Sequence, residues 1–353
     1  MNSMRVTNTG SPLAETIFPA PDGKLKLAII GCGAITTINH LPIISGSDRM
    51  TAEILVDKSL ARAEALAKAY AVPFVVDDYR KIIGAVDAAV VALPNHLHAP
   101  VAIELLRHGI HVFVEKPMAL KTSECDAMID AAHSRGAILA VGLEFRFFSA
   151  CQFVKQFLAA GLLGNINSFD LRMGVIFKWP VESDYLFYRR TAGGGVLMDF
   201  GAHTLDLLLW WLGSCKTAAY VDDSMGGVEA NCEIYLELAN GAAGAVELSR
   251  TRNLRNSFII TGERGQLEVQ LWTENPELRL ELNGQEVFLL GRVLQDGGVA
   301  TFEEAFHREI EDFAEAIQAS REPFVTGQEA RKTIQLIERC YETRRCLRHP
   351  WSF

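Results

Sequence analysis

LKLAIIGCGAIT, Leu25 to Thr36, is the stretch on which the fold turns: an apolar strand pattern runs without a break into Gly31-Cys32-Gly33-Ala34-Ile35-Thr36. This is G-x-G-x-x-G with Thr36 in place of the third glycine. In such a turn the first glycine permits the tight bend and the second lets the backbone approach a pyrophosphate. The helix opened by Ala34 and Ile35 then stabilises the negative charge at its N-terminus. The third glycine mainly eases helix–strand packing, so Thr36 is tolerable there. Taken alone the motif is also compatible with a ligand-free glycine turn. Its context points to a nucleotide, because Asp57 ends the second strand-like run, AEILVD, roughly 20 residues further on. A carboxylate there holds a ribose 2′-hydroxyl and repels a 2′-phosphate, which predicts NAD as cofactor. Lys58 and Arg62 stand close enough to receive a phosphate, which leaves NADP possible, and Asp57 as a simple helix N-terminal acid is the other reading.

From Lys24 to about Phe145 the chain repeats this grammar. LKLAII, AEILVD, DAAVVALP, HVFVE and AILAVGL alternate with helical stretches, two of which end in Gly109 and Gly136, as helix C-termini often do. That predicts an α/β Rossmann domain, a doubly wound parallel sheet, over 24–145, after an N-terminal extension of 1–23. Beyond Arg146 the pattern changes to a helix near Ala150 to Ala160, a strand-like INSFDLRMGVIFKW, a Gly-rich turn and an apolar helix through LDLLLWWL. Five alternating runs follow, from KTAAYVDD to PELRLELNGQEVFLL. Strands without intervening helices predict a large, mostly antiparallel open sheet, hence an α+β domain over 146–353. Two terminal helices, near Phe302 to Ala319 and Gly327 to Arg345, are free to pack back on the first domain.

Bulk properties fit two ordinary cores. The chain has 353 residues, 49% hydrophobic and 22% charged, close to the globular norm. A net charge of −9 without basic runs argues against nucleic acid and anionic membrane as partners. Seven dispersed cysteines, with no C-x-x-C pair and no zinc-ligand spacing, predict a reduced, cytoplasmic protein without structural metal. The first 23 residues lack the apolar core of a secretory signal, and no apolar run, Leu207 to Leu212 included, is long enough to span a bilayer.

Two further segments carry the chemistry: PNHLHAPVAIELLRHGIHVFVEKPMAL, Pro94 to Leu120, and AGGGVLMDFGAHTLDLLLWWLG, Ala192 to Gly213. With the early glycines, and in this order, they resemble the glucose-fructose oxidoreductase, inositol dehydrogenase and MocA family, over most of the chain from about Lys24 to Arg345. The resemblance implies a Rossmann domain followed by an α+β domain with substrate bound between them, and a homodimer or homotetramer. It implies an NAD(P)-dependent oxidoreductase acting on a sugar, sugar derivative or cyclic polyol. Glu115-Lys116-Pro117 matches the family's E-K-P triplet, and Asp199 and His203 match its D-x-x-x-H pair, implying a catalytic group of Lys116, Asp199 and His203. The Pro94–Asn95 segment, with His98, is similar to one lining the cofactor cleft, and Glu115 corresponds to a residue near the nicotinamide ribose. For His98 a place at a helix start without chemistry, and for Glu115 a strand-end cap, are the alternatives.

Elementary chemistry agrees with these roles. Oxidising an alcohol requires removal of the hydroxyl proton as hydride leaves carbon, and histidine titrates nearest neutral pH. His203 is the candidate base, or the acid in the reductive direction. The Lys116 ammonium stabilises developing alkoxide charge, and Asp199 orients Lys116 or binds a substrate hydroxyl. On a helix the i, i+4 spacing puts Asp199 and His203 on one face, with Asp206 next along as a structural partner. The pair could also be two metal ligands, but no third ligand is evident at suitable spacing. Arg190, beside Tyr188 and the Gly-rich turn, is the candidate substrate-binding arginine. A glycosidase working through transient oxidation by tightly held NAD, and a non-catalytic nucleotide-binding regulator, are the competing functions. The presence of both Lys116 and His203 argues against the regulator.

Overall fold

The six-residue run LKLAII becomes a strand because its inner residues are buried on both faces. In the computed structural model, which describes residues 5–6, 23–180, 183–271, 277–290 and 298–347, Leu27 to Ile30 are at most 2% exposed. Burial on both sides marks a central strand of a parallel sheet covered by helices on each face. In chain order this half contains β1 (Arg5–Val6), β2 (Leu25–Ile30), α1 (Leu41–Gly46), β3 (Met50–Val56), α2 (Leu60–Tyr70), β4 (Phe74–Val76) and β5 (Ala88–Val91). α3 (His98–Arg107), β6 (His111–Glu115), α4 (Thr122–Arg135) and β7 (Leu139–Gly142) complete it. The strands pair in parallel in the order β1-β4-β3-β2-β5-β6-β7, with the two-residue β1 at the edge. The order reverses beside β2, where an open α/β sheet leaves a crevice at its strand C-termini. Gly136 caps α4 in the left-handed conformation at φ +62°, and Gly109 takes φ +78° just beyond α3, as the sequence predicts.

The second half contains α5 (Ser149–Ala159), β8 (Ile166–Gly174), the short α6 (Arg189–Ala192) and α7 (Val196–Leu212). Then come β9 (Cys215–Asp222), β10 (Asn231–Leu238), β11 (Ala243–Ser249), β12 (Ser257–Gly262), β13 (Gly265–Gln270), β14 (Glu277–Leu282) and β15 (Gln285–Leu290). α8 (Phe302–Ala319), α9 (Gly327–Glu342) and β16 (Arg345–Cys346) end the described chain. Among the described residues nine strands form one mixed sheet, β15-β14-β13-β12-β8-β11-β10-β9-β16, antiparallel except where β8 meets β11 and β9 meets β16. In β10 every second residue, Cys232, Ile234, Leu236 and Leu238, is buried, the alternation of a sheet with one covered face. The strand expected to run to Trp179 stops at Gly174. There the backbone N–H turns to Asn256 Oδ1 at 2.8 Å, and a Cβ would sit 2.7 Å from Leu254 Cγ, so the crossing segment 252–256 ends the regular ladder.

The described residues of Met1–Gly142, Pro180–Ser183 and Phe306–Arg331 form one unit, and those of Leu143–Trp179, Asp184–Ala305 and Lys332–Phe353 the other. In the first, Ile310, Phe313 and Ala314 of α8 join a core with Leu27, Ile29, Leu55, Val90 and Phe113. Among the described residues no helix is long and apolar enough to cross a membrane.

Candidate active site

In the first unit the β2–α1 turn is built around Gly31, whose φ is +101° and whose Cβ, if present, would lie 2.1 Å from the Ala92 carbonyl oxygen. Only glycine passes so close to the end of β5. Gly33 is the opposite case: a Cβ there would meet nothing within 4 Å, so the backbone borders open space where a pyrophosphate could approach. Ala34 and Ile35 begin the helical stretch, which runs through one π-helical turn, Thr36–His40, into α1. At the third glycine position Thr36 is fully buried and its hydroxyl donates to the Gly31 carbonyl at 2.6 Å, tying helix to turn.

Asp57 follows the last residue of β3 and supports the same turn. One carboxylate oxygen accepts the Cys32 N–H at 2.8 Å, the other the Ser59 N–H at 2.7 Å, and Arg62 stands 3.7 Å away. A carboxylate has about four acceptor sites, so capacity remains for a ribose hydroxyl. Lys58 is exposed beside it. The geometry suits a dinucleotide: an open glycine backbone, a helix start and an acceptor at the next strand end.

Pro94 precedes the tight turn Asn95–Leu97, in which Asn95 is buried. His98 is 1% exposed, and its ring nitrogens face the Pro117 carbonyl at 2.8 Å and the Leu93 carbonyl at 2.7 Å. It therefore braces the β5 loop against the β6 loop, and burial lowers its pKa against the pull of those two carbonyls. Glu115, at the end of β6, meets His40 Nε2 at 2.8 Å and accepts the Lys116 N–H at 3.1 Å. Burial pushes its carboxyl up, but the bond and charge of His40, with Lys116 and His98, outweigh it and hold the group below its ordinary value. Lys116 is half-buried and joined to Pro117 by a cis peptide.

In the second unit α7 carries both Asp199, in its first turn, and His203, one turn on, so the i, i+4 pair does share a face. Asp199 accepts a 2.7 Å bond from Arg250, whose guanidinium lies 5.3 Å from the Phe177 ring. His203 is 3% exposed, stacks on Phe145 at 4.6 Å, and has Nδ1 3.5 Å from Glu144 Oε2. Asp206 is held by two 2.7 Å bonds from Arg146, a structural partner as expected. Arg190 is exposed, 6.0 Å from the Tyr188 ring.

The Gly-rich turn before α7 is glycine for want of room. A Cβ on Gly194 would sit 1.8 Å from the Tyr341 hydroxyl, and one on Gly195 1.9 Å from the Glu229 carbonyl oxygen. Buried Glu229 accepts the Gly195 and Leu197 N–H groups and the Tyr341 hydroxyl on a single oxygen, at 2.8, 3.0 and 2.8 Å. Burial raises its pKa against those three bonds. This clamp fixes the start of the helix that presents Asp199 and His203. Sequence reasoning missed Glu144, Glu229, Arg250 and Tyr341, which lie in no spaced motif. Among the described residues no three His, Cys, Asp or Glu side chains gather to hold a metal.

The two glycine positions give opposite expectations. Gly31→Ala should destabilise the first unit, since backbone must move. Gly33→Val should melt like the parent but raise the Kd for NAD about tenfold or more, roughly 1.4 kcal/mol. Calorimetric titration with NAD beside thermal melts decides it, and an unchanged Kd in Gly33→Val would remove the pyrophosphate from this turn.

Residues 25–143 match the family described as "Oxidoreductase family, NAD-binding Rossmann fold", and residues 155–346 match its "C-terminal alpha/beta domain". The D-xylose 1-dehydrogenase (NADP(+)) 2 of Haloferax volcanii is 26% identical over 326 residues, 90% of this chain and 97% of that one. The D-glucoside 3-dehydrogenase of Escherichia coli is 27% identical over 303 residues, 77% of this chain and 83% of its own. Among solved structures, the aldose-aldose oxidoreductase from Caulobacter crescentus, crystallised with glycerol, superposes with a TM-score of 0.80 at 26% identity. That match covers 91% of this chain and 97% of the other.

Proposed function

Because the chain belongs to the glucose-fructose oxidoreductase, inositol dehydrogenase and MocA family of NAD(P)-dependent oxidoreductases, we propose that it oxidises or reduces a hydroxyl-bearing carbon of a sugar, sugar derivative or cyclic polyol. The observation that carries this reading is the face of α7, where Asp199 and His203 stand one turn apart on a helix whose start is clamped by Glu229. Relatives named for xylose oxidation at C1 and glucoside oxidation at C3 support the substrate class. They differ in the carbon attacked, as expected when function resides in the site residues rather than in the shared fold.

In this reading Gly31, Gly33, Ala34 and Ile35 receive the pyrophosphate, and Asp57 and Lys58 flank the adenosine ribose. Pro94, Asn95, Glu115 and Lys116 line the nicotinamide side, with His98 bracing the loops beneath them. The nicotinamide, when bound, accepts or donates the hydride. His203 takes the hydroxyl proton in oxidation and returns it in reduction. Lys116 stabilises negative charge on the reacting oxygen, and Asp199, held by Arg250, binds a neighbouring substrate hydroxyl. Arg190, exposed beside the Tyr188 ring, contributes to substrate binding.

A panel of aldoses, glycosides, sugar acids and cyclic polyols, assayed with NAD and NADP at the reduced-nicotinamide absorbance band, tests this directly. Tight nucleotide binding without turnover on any member of the panel would overturn it.

Coenzyme choice rests on Asp57, and the preferred form is NAD. Because its oxygens also hold the Cys32 and Ser59 N–H groups, Asp57→Asn is the better probe, keeping an acceptor while removing the charge. It should shift the ratio of kcat/KM for NAD over NADP toward NADP by about 1–3 kcal/mol, the worth of one charge-assisted contact. A parent enzyme that already favours NADP would contradict the assignment.

The reading extends to a cytoplasmic homodimer or homotetramer. The seven cysteines are all free thiols, and the uncovered face of the nine-stranded sheet exposes Tyr235 and Val287. Light scattering on the purified chain measures the assembly.

A further inference from the structure

Between β7 and α5 the chain makes one tight turn, Glu144–Phe147, whose four side chains are all buried. Three of them meet α7 within the same unit. Phe145 lies under the His203 ring, 4.6 Å between centroids and 24° between planes. Arg146 grips Asp206 through two parallel 2.7 Å bonds, with both side chains 3% exposed or less. Glu144 brings Oε2 to 3.5 Å from His203 Nδ1. His203 and Asp206 are three residues apart on one helix face, so the turn supports the face of the imidazole and sets a carboxylate near its Nδ1, while the ion pair fixes the turn against the helix.

We propose that Glu144 is the positioning residue of His203, fixing the ring from its Nδ1 side and stabilising the imidazolium formed when Nε2 takes a proton from the substrate hydroxyl. The inference rests on the reading of His203 as the base. In that step the substrate O–H bond breaks and an Nε2–H bond forms, the hydride passing separately to the nicotinamide.

The distance explains the role. At 3.5 Å the carboxylate is beyond good hydrogen-bond range of the ring nitrogen but inside ion-pair range. Attraction is therefore weak while the ring is neutral and grows when it gains charge. The side chains of His203 and Glu144 are 3% and 7% exposed, so little water screens the pair. Among the described residues, two other acidic side chains of α7 lie in ion pairs, Asp199 with Arg250 and Asp206 with Arg146, and Glu229 at the helix start accepts from two backbone N–H groups and the Tyr341 hydroxyl. Glu144 adds a negative charge directed at the imidazole. No sequence motif announces it, since it reaches His203 from 59 residues away in the chain.

The test needs no substrate. Histidine-selectively labelled full-length protein is titrated by NMR, the His203 signal being identified by its loss in His203→Asn. In Glu144→Gln, which keeps size and an acceptor oxygen but removes the charge, His203 should titrate about one unit or more lower than in the parent. Glu144→Asp, which keeps the charge, should restore part of the shift and serves if the Gln variant folds poorly. The same His203 titration in parent and Gln variant would overturn the proposal. A separate result, His203→Asn turning over like the parent, would remove His203 as base while leaving the Glu144–His203 coupling measured, so the two failures are distinguishable.

Discussion

Replacing Lys116 by Met, or His203 by Asn, is expected to lower kcat by about 10²–10⁴-fold while the Kd for NAD stays within a few-fold of the parent. Both side chains are assigned to the reacting oxygen rather than to the adenosine half, so binding and chemistry should separate. Met at position 116 keeps the apolar stem that the half-buried lysine packs and loses only its charge. Its backbone N–H would still be held by Glu115. Asn at 203 suits better than Ala, because the imidazole is buried against Phe145 and truncation would add a cavity cost to any catalytic loss. Nucleotide titration followed by steady-state turnover on the best substrate of the panel distinguishes the cases. If both variants turn over at the parent rate, the catalytic assignment fails.

The largest effect on stability is expected at Asp206. Asp206→Ala should destabilise the second unit by about 3–5 kcal/mol, because Arg146 keeps its charge in a site only 3% exposed and loses its bidentate partner. The pair Arg146→Met with Asp206→Leu should recover much of that loss, since a buried ion pair contributes little net stability over well-packed apolar side chains. Denaturant melts of the single and double variants decide it. A single variant within 1 kcal/mol of the parent would mean that the ion pair is not what holds the Glu144–Phe147 turn to α7.

Such pairs mark the boundary between what the chain announces and what it conceals. The apolar run at Leu25–Ile30, the glycines at 31 and 33 and the acid at Asp57 announced the parallel sheet and its turn. Strand burial and tight turns impose local constraints on residue type that survive in the order of residues alone. The alternation of Cys232 to Leu238 announced the second sheet for the same reason, and the spacing of Asp199 and His203 announced a shared helical face before the helix was seen. Periodicity tells which face of an element is buried but not which distant polar group will meet it. Only the tertiary structure decided that Glu144 faces His203, that Arg250 holds Asp199 and that Arg146 belongs to Asp206. It also decided that Glu229 and Tyr341 press so closely on Gly194 and Gly195 that no side chain fits. Each of these contacts joins residues 34 or more positions apart, closed by packing between elements, and the energetics of such closures depend on burial and geometry that no local pattern encodes.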